Sequence, residues 1–121
     1  MAIPAAVLQD SDILPPQEGK HNHLALVAAT ASTAQDTGIT GATNALGPTF
    51  ITMSCNADWN VVFSMDGTST VTVPVVATAT CWPVAANTSV SFRVSPLQRY
   101  FRAISTAGGA LKWYLSSPAG F

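Results

Sequence analysis

Two histidines one residue apart, His21 and His23, are the first side chains in the chain whose spacing suggests chemistry. In a strand, residues at i and i+2 point to the same face, so the pair could share a metal ion or supply a general base. Glu18 and Asp36 are the nearest acids, and neither completes a ligand set with the histidines. We therefore predict an exposed pair at the entrance to a strand, with no metal and no cofactor.

Nucleophilic and acid–base catalysis find little support in the sequence. There is no GxSxG turn to present a serine, and Cys55 and Cys81 have no flanking histidine or basic pair to activate a thiol. The six acids are scattered, and no glycine-rich phosphate motif precedes a helix. We expect no enzymatic activity. Both cysteines lie in apolar β runs, which favours two reduced thiols; a disulfide would instead favour a secreted adhesin module.

Exposed aromatic side chains could form a binding surface for a flat ligand such as a sugar ring. Trp59 and Trp113 occur in phase with Val, Phe and Leu, so they are predicted to lie in the core. Trp82 and Tyr114 are the more plausible exposed rings and could stack on a sugar, so a carbohydrate-binding module of a tail fibre or cell-surface protein is our alternative function. The candidate exposed contact residues are Trp82, Arg93, Arg102 and Tyr114.

Composition narrows the class of protein. The 121 residues suffice for one domain, and 48% are hydrophobic while only 9% are charged, against about 25% charged in typical soluble domains. The formal net charge is −1, so a basic patch for nucleic acid is not expected. A charge-poor surface has little electrostatic protection against association, which suits a subunit whose faces are covered by neighbours.

The elements that must position these side chains are short strands. Apolar and polar residues alternate with period 2 in most runs, and Gly, Pro, Asn and Asp separate the runs. We predict an all-β fold, an antiparallel β-sandwich or jelly roll of about seven to eight short strands, with no helix of useful length. The predicted strands span residues 24–30, 49–55, 59–63, 69–76, 78–82, 89–94, 99–105 and 111–115.

The sequence also predicts the turns between the strands and which side chains of strand 99–105 face the core. Asp66-Gly67 and Gly108-Gly109 are expected to form tight hairpins. Residues 31–48 are expected to form a long loop with at most one short edge strand near 38–43, and Pro74 indicates an edge or a bulge. In the strand 99–105 either Tyr100, Arg102 and Ile104 or Phe101 and Ala103 turn inward. We choose the second, because it leaves Arg102 in solvent.

Residues 1–23 are expected to form an extended N-terminal arm, followed by a β-sandwich domain over 24–121. Prolines prevent a regular helix in residues 1–20, and short apolar groups resemble anchors. The arm is expected to lie on its own sandwich or on a neighbouring subunit. No secretion signal and no apolar run of about 18 residues is present, so we expect a protein made in a cytoplasm. The predicted contact residues of the arm are Ile3, Pro4, Val7, Leu8, Ile13, Leu14, Pro15 and Pro16.

The C-terminal third, CWPVAANTSVSFRVSPLQRYFRAISTAGGALKWYLSSPAGF, resembles the small β-sandwich decoration, or cement, proteins of tailed bacteriophage heads. The likeness covers residues 82–121 and consists of a proline turn, a VxFxV strand, a strand with an AIS-like core, a glycine hairpin and a final aromatic strand. It implies a non-enzymatic protein on the outer capsid surface. Such a protein binds the major capsid protein and neighbouring copies of itself, often as a homotrimer, and stabilises the shell. The implied location is the virion, after assembly in the host cytoplasm.

Overall fold

A computed structural model describes residues 21–40, 48–68 and 81–116. These residues form eight strands in two four-stranded antiparallel sheets, and the helical structure among them is one 3-10 turn, Pro96–Gln98. The predicted all-β sandwich is confirmed. The strands are β1 (Asn22–Leu26), β2 (Gln35–Asp36), β3 (Thr49–Cys55), β4 (Trp59–Ser64), β5 (Trp82–Val84), β6 (Ser89–Val94), β7 (Tyr100–Ile104) and β8 (Gly109–Ser116).

Strand order gives the topology. The first sheet has the order β1-β8-β3-β6 and the second has the order β2-β7-β4-β5. The antiparallel pairs β1–β8, β2–β7, β3–β6 and β4–β5 are nested, as in a long hairpin rolled up on itself. This is the jelly-roll arrangement, one of the two architectures predicted from the sequence.

The glycine turn between β7 and β8 corrects one prediction. These strands were expected to form a hairpin, but they lie in different sheets, so the connection crosses the sandwich. Gly108 has φ of 75°, and a Cβ there would lie 2.8 Å from the carbonyl oxygen of Leu26. The glycine therefore permits close packing against the neighbouring loop. A glycine pair predicts a tight turn but does not indicate which sheet the next strand joins.

Several strand bounds also differ from expectation. β1 begins at Asn22 and ends at Leu26, because the chain then crosses to the second sheet, where Ala28 forms a parallel bridge with Ser105. The short strand in the long loop is β2, residues 35–36, earlier than predicted. β5 runs through Pro83 instead of ending before it. Among the described strands β5 lies at the edge of its sheet, where a residue lacking N–H is tolerated.

Four loops are joined by hydrogen bonds at one end of the sandwich. The backbone N–H of Ala29 donates to Ser105 O at 2.8 Å, and that of Asn87 donates to Cys55 O at 2.8 Å. The Ser105 hydroxyl is buried and donates to Asp58 O at 2.7 Å. These bonds link the loop between β1 and β2, the loop between β3 and β4, the loop between β5 and β6, and the loop between β7 and β8. The N–H, C=O and hydroxyl groups that take part therefore have hydrogen-bond partners within the protein.

The core fills the space between the sheets. Phe101 is 1% exposed and Ala103 is fully buried, so the predicted inward facing of these two residues is confirmed, whereas Ile104 of the opposite set is also buried, at 2% exposure. Phe101 meets Trp113 of the opposite sheet edge to face at 5.4 Å, and the predicted core positions of Trp59 and Trp113 are confirmed. Cys55 is a buried thiol.

Cys81 is half-buried. No disulfide joins it to Cys55, in agreement with the favoured interpretation of the sequence.

Some predictions fall outside the described residues. They concern the eight contact residues of the arm, the strand 69–76 with Pro74, and most of the strand 78–82.

Candidate functional site

The outer face of the first sheet carries an ordered set of polar side chains. Residues directly opposite one another in antiparallel strands point to the same face, so the register defines rows across the sheet. The alternating strand residues that turn away from the core therefore meet on this face. One row contains His23, Lys112, Ser54 and Ser89, and the next contains Tyr114, Thr52 and Ser91.

A cavity of about 270 Å³ opens on this face and is called the polar cavity here, because six of its eight lining residues have polar side chains, although most of its accessible surface is apolar. A second depression, of about 450 Å³, adjoins it and shares Ser54, Ser89 and Lys112. It extends toward the loops around Asn56 and Asn87. The two depressions therefore adjoin along these three shared residues. The residues lining the polar cavity are His21, Thr52, Met53, Ser54, Ser89, Lys112, Trp113 and Tyr114.

This face has a positive electrostatic character. None of the four strands of the first sheet contains Asp or Glu, whereas Lys112 and Arg93 are exposed on it. The acids within the described ranges are Asp36, Asp58 and Asp66, which all lie outside this sheet. An anion that approaches the polar cavity therefore meets a cation without competition from a carboxylate of these strands.

The ion pair recorded within residues 21–40, 48–68 and 81–116 belongs to the second sheet. Arg99 Nε and Nη2 each donate at 3.0 Å to Asp36, in a two-pronged contact. The hydrogen bond from Arg99, together with that from the Gly38 N–H, lowers the pKa of Asp36 below its usual value. The pair joins β2 to the end of β7 and takes no part in the polar cavity.

His21 and His23 form an exposed pair at the start of β1, as predicted. Their rings meet edge to face at 4.7 Å. In the described part of the chain, no group of three His, Cys, Asp or Glu residues is placed to hold a metal ion. His21 instead lines the polar cavity.

A second concave surface lies where the edge strands β5 and β6 adjoin. It has a volume of about 300 Å³, is mostly apolar and is called the apolar groove here. Trp82 on its rim is 62% exposed, which confirms the predicted exposure of this ring. Arg93, also exposed as predicted, lines the same groove. The lining residues are Val61, Phe63, Trp82, Phe92, Arg93, Val94 and Gln98.

The structure separates the other predicted contact residues. Tyr114 is half-buried in the polar cavity, so Trp82 and Tyr114 do not form one stacking platform. Arg102 is half-buried, not in open solvent as expected. Its Nη2 donates to Gly67 O at 3.3 Å, and its Nε is buried with no hydrogen-bond partner among the described residues. The turn after β4 covers part of this side chain.

Sequence reasoning missed Lys112, Thr52, Ser54 and Ser89 as members of a site. The only sequence feature that could have indicated these residues is their position, since each is a polar residue in a strand of alternating polar and apolar residues. Strand pairing brings them together, and alternation within one strand carries no information about its partners.

Comparisons with protein-family models, with curated proteins and with solved structures found no match. Within the described residues, no helix is long and apolar enough to cross a membrane.

Proposed function

We propose that this chain is a non-enzymatic virion protein, a decoration or cement protein that binds the outer surface of a tailed-phage head. The observation that carries the proposal is the apolar groove with the exposed indole of Trp82 on its rim. Support from the fold is by analogy, because jelly rolls recur in viral capsid proteins and also in lectins.

The groove has the composition of a protein contact. Phe63 and Phe92 pack edge to face at 5.8 Å and form an aromatic floor beside Trp82. Burial of a large apolar side chain contributes roughly 1.5–3 kcal/mol, and exposed Trp and Arg residues are frequent anchors of interfaces. Arg93 adds a directional charge at the rim. Such a contact is weak alone but is repeated at every site of a symmetric shell.

The N-terminal segment supplies the second contact in this proposal. Its prolines and apolar groups would lie across boundaries between subunits, while the sandwich sits on the shell. The partners are the major capsid protein and neighbouring copies of this chain, arranged as a homotrimer. The protein is then found on virions after assembly in the host cytoplasm. Sedimentation equilibrium of the purified chain tests the trimer, which a monomer at all concentrations contradicts.

The decisive experiment uses heads from the phage that encodes the chain, assembled with its gene deleted. Purified chain is added, and co-sedimentation and the temperature of DNA release are measured. We expect saturable binding and a higher release temperature. Absence of the chain from wild-type virions, or an unchanged release temperature, contradicts the proposal.

Two variants test the contacts. Trp82→Ala should weaken co-sedimentation, whereas Met65→Ala should not, because Met65 is equally exposed at 62% but does not line the groove. Deletion of residues 2–19 should leave the body folded and abolish attachment; unchanged attachment rejects the role of the arm.

A further inference from the structure

We infer that the polar cavity on the first sheet is a binding site for an acidic sugar, a pyranose that carries a carboxylate. The inference does not depend on capsid attachment, because the polar cavity and the apolar groove share no lining residue. The inference therefore concerns a different surface from the apolar groove, through which Trp82 is proposed to contact the capsid.

The ring of Tyr114 supplies the stacking surface. Tyr114 lines the cavity, is half-buried and lies opposite Thr52 in the register of the sheet. The C–H face of a pyranose packs on an aromatic ring, and a phenol hydroxyl can also form hydrogen bonds with the sugar. A small inorganic anion has no C–H face that could pack on this ring.

Hydroxyl groups match the rest of a sugar ring. Thr52, Ser54 and Ser89 line the cavity, and each hydroxyl can both donate and accept, as sugar hydroxyls do. Thr52 Oγ1 lies 2.9 Å from Ser91 Oγ, so one hydroxyl of this row is already oriented by its neighbour. The adjoining depression beyond Ser54 and Ser89 leaves room for the sugar to be part of a longer chain.

Lys112 selects a charged ligand. It lines both depressions, and no carboxylate lies on the four strands around it. A charge-assisted hydrogen bond from an ammonium to a carboxylate is stronger than one between neutral groups. His21, which lines the cavity, and His23, which lies opposite Lys112 in the same row, provide further hydrogen-bonding nitrogens. The volume of about 270 Å³ lies just below the range of about 300–1,000 Å³ usual for ligand pockets, which suits a ligand as small as one sugar ring.

The test is a titration of isotope-labelled full-length chain, followed by the amide signals in NMR. The probes are methyl β-glucuronide and methyl α-sialoside as two sources of the carboxylate, methyl β-glucoside as a neutral ring, and acetate as a charge without a ring. We expect one or both acidic sugars to shift the amides of Lys112, Tyr114 and Ser54. The affinity should exceed that of the glucoside and of acetate by about tenfold.

Variants locate the site. Lys112→Met keeps the aliphatic stem and removes the charge, so it should weaken acidic-sugar binding about tenfold and leave glucoside binding unchanged. Arg93→Met removes a cation from the same face outside the polar cavity and serves as the matched control, with no expected effect.

Four outcomes overturn the inference: no shift with any sugar, equal binding of the glucoside, equal binding of acetate, or shifts outside the cavity. The amide spectrum of each variant shows directly whether it is folded. Binding to phage heads is measured separately, so failure here leaves the proposed function standing.

Discussion

Phe101 is the side chain whose removal should most directly separate the two sheets. It is 1% exposed, and its ring contacts Trp113 at 5.4 Å and Phe63 at 6.0 Å between centroids, so it joins residues of both sheets. Truncation of a buried Phe to Ala typically costs about 3–5 kcal/mol, and loss of the edge-to-face contact places Phe101→Ala toward the upper end. That is a large part of the roughly 5–15 kcal/mol that stabilises a domain.

Urea denaturation followed by tryptophan fluorescence measures this loss. With a slope of roughly 2 kcal/mol per molar urea, the midpoint should fall by about 2 M. Tyr100→Ala is the matched control on the same strand, since Tyr100 is half-buried and faces away from the core. It should cost about 1 kcal/mol. A loss below about 1 kcal/mol for Phe101→Ala, or equal losses in the two variants, refutes the assigned facing of β7.

Three further changes test the loops and the ion pair. Gly108→Ala should lower the melting temperature strongly, because the added Cβ meets Leu26 O at 2.8 Å and φ is 75°; unchanged melting contradicts the packing of this turn. Ser105→Ala should cost about 0.5–1.5 kcal/mol in urea denaturation, since the hydrogen bond from the buried Ser105 hydroxyl to Asp58 O is lost. The pKa of Asp36 is lowered by Arg99, so their pairing stabilises the fold above pH 3.8 and is lost as the pH falls toward the lowered value. Asp36→Asn should therefore reduce the fall in melting temperature below pH 3.8, and an unchanged acid profile argues against this contribution.

Period-2 alternation was enough to predict the fold class and much of the core. Trp59 and Trp113 could be placed inside because each shares its phase with other apolar residues, whereas Phe101 was placed inside because the opposite facing would have buried Arg102. The connections could not be predicted. A tight turn such as Gly108-Gly109 is compatible with a hairpin and with a crossing between sheets, and long-range pairing decides between them.

The candidate site was predictable only in part. Trp82 was predicted to be exposed by contrast with Trp59 and Trp113, which occur in phase with apolar residues, and the structure puts it on an edge strand of the described sheets. The polar cavity needs the register of β1, β8, β3 and β6, which pair residues far apart in the sequence. Arg102 was misplaced because alternation gives the side of the sheet but not what a turn elsewhere in the chain covers.

Because the strands pair in a nested order, the polar cavity forms only when the whole chain has folded. Its walls come from both ends and the middle of the chain, from His21 through Thr52 and Ser89 to Tyr114. A fragment or a half-assembled chain therefore lacks the cavity altogether. Any ligand that occupies it recognises only finished molecules and raises their stability in proportion to the logarithm of its concentration once the site is saturated.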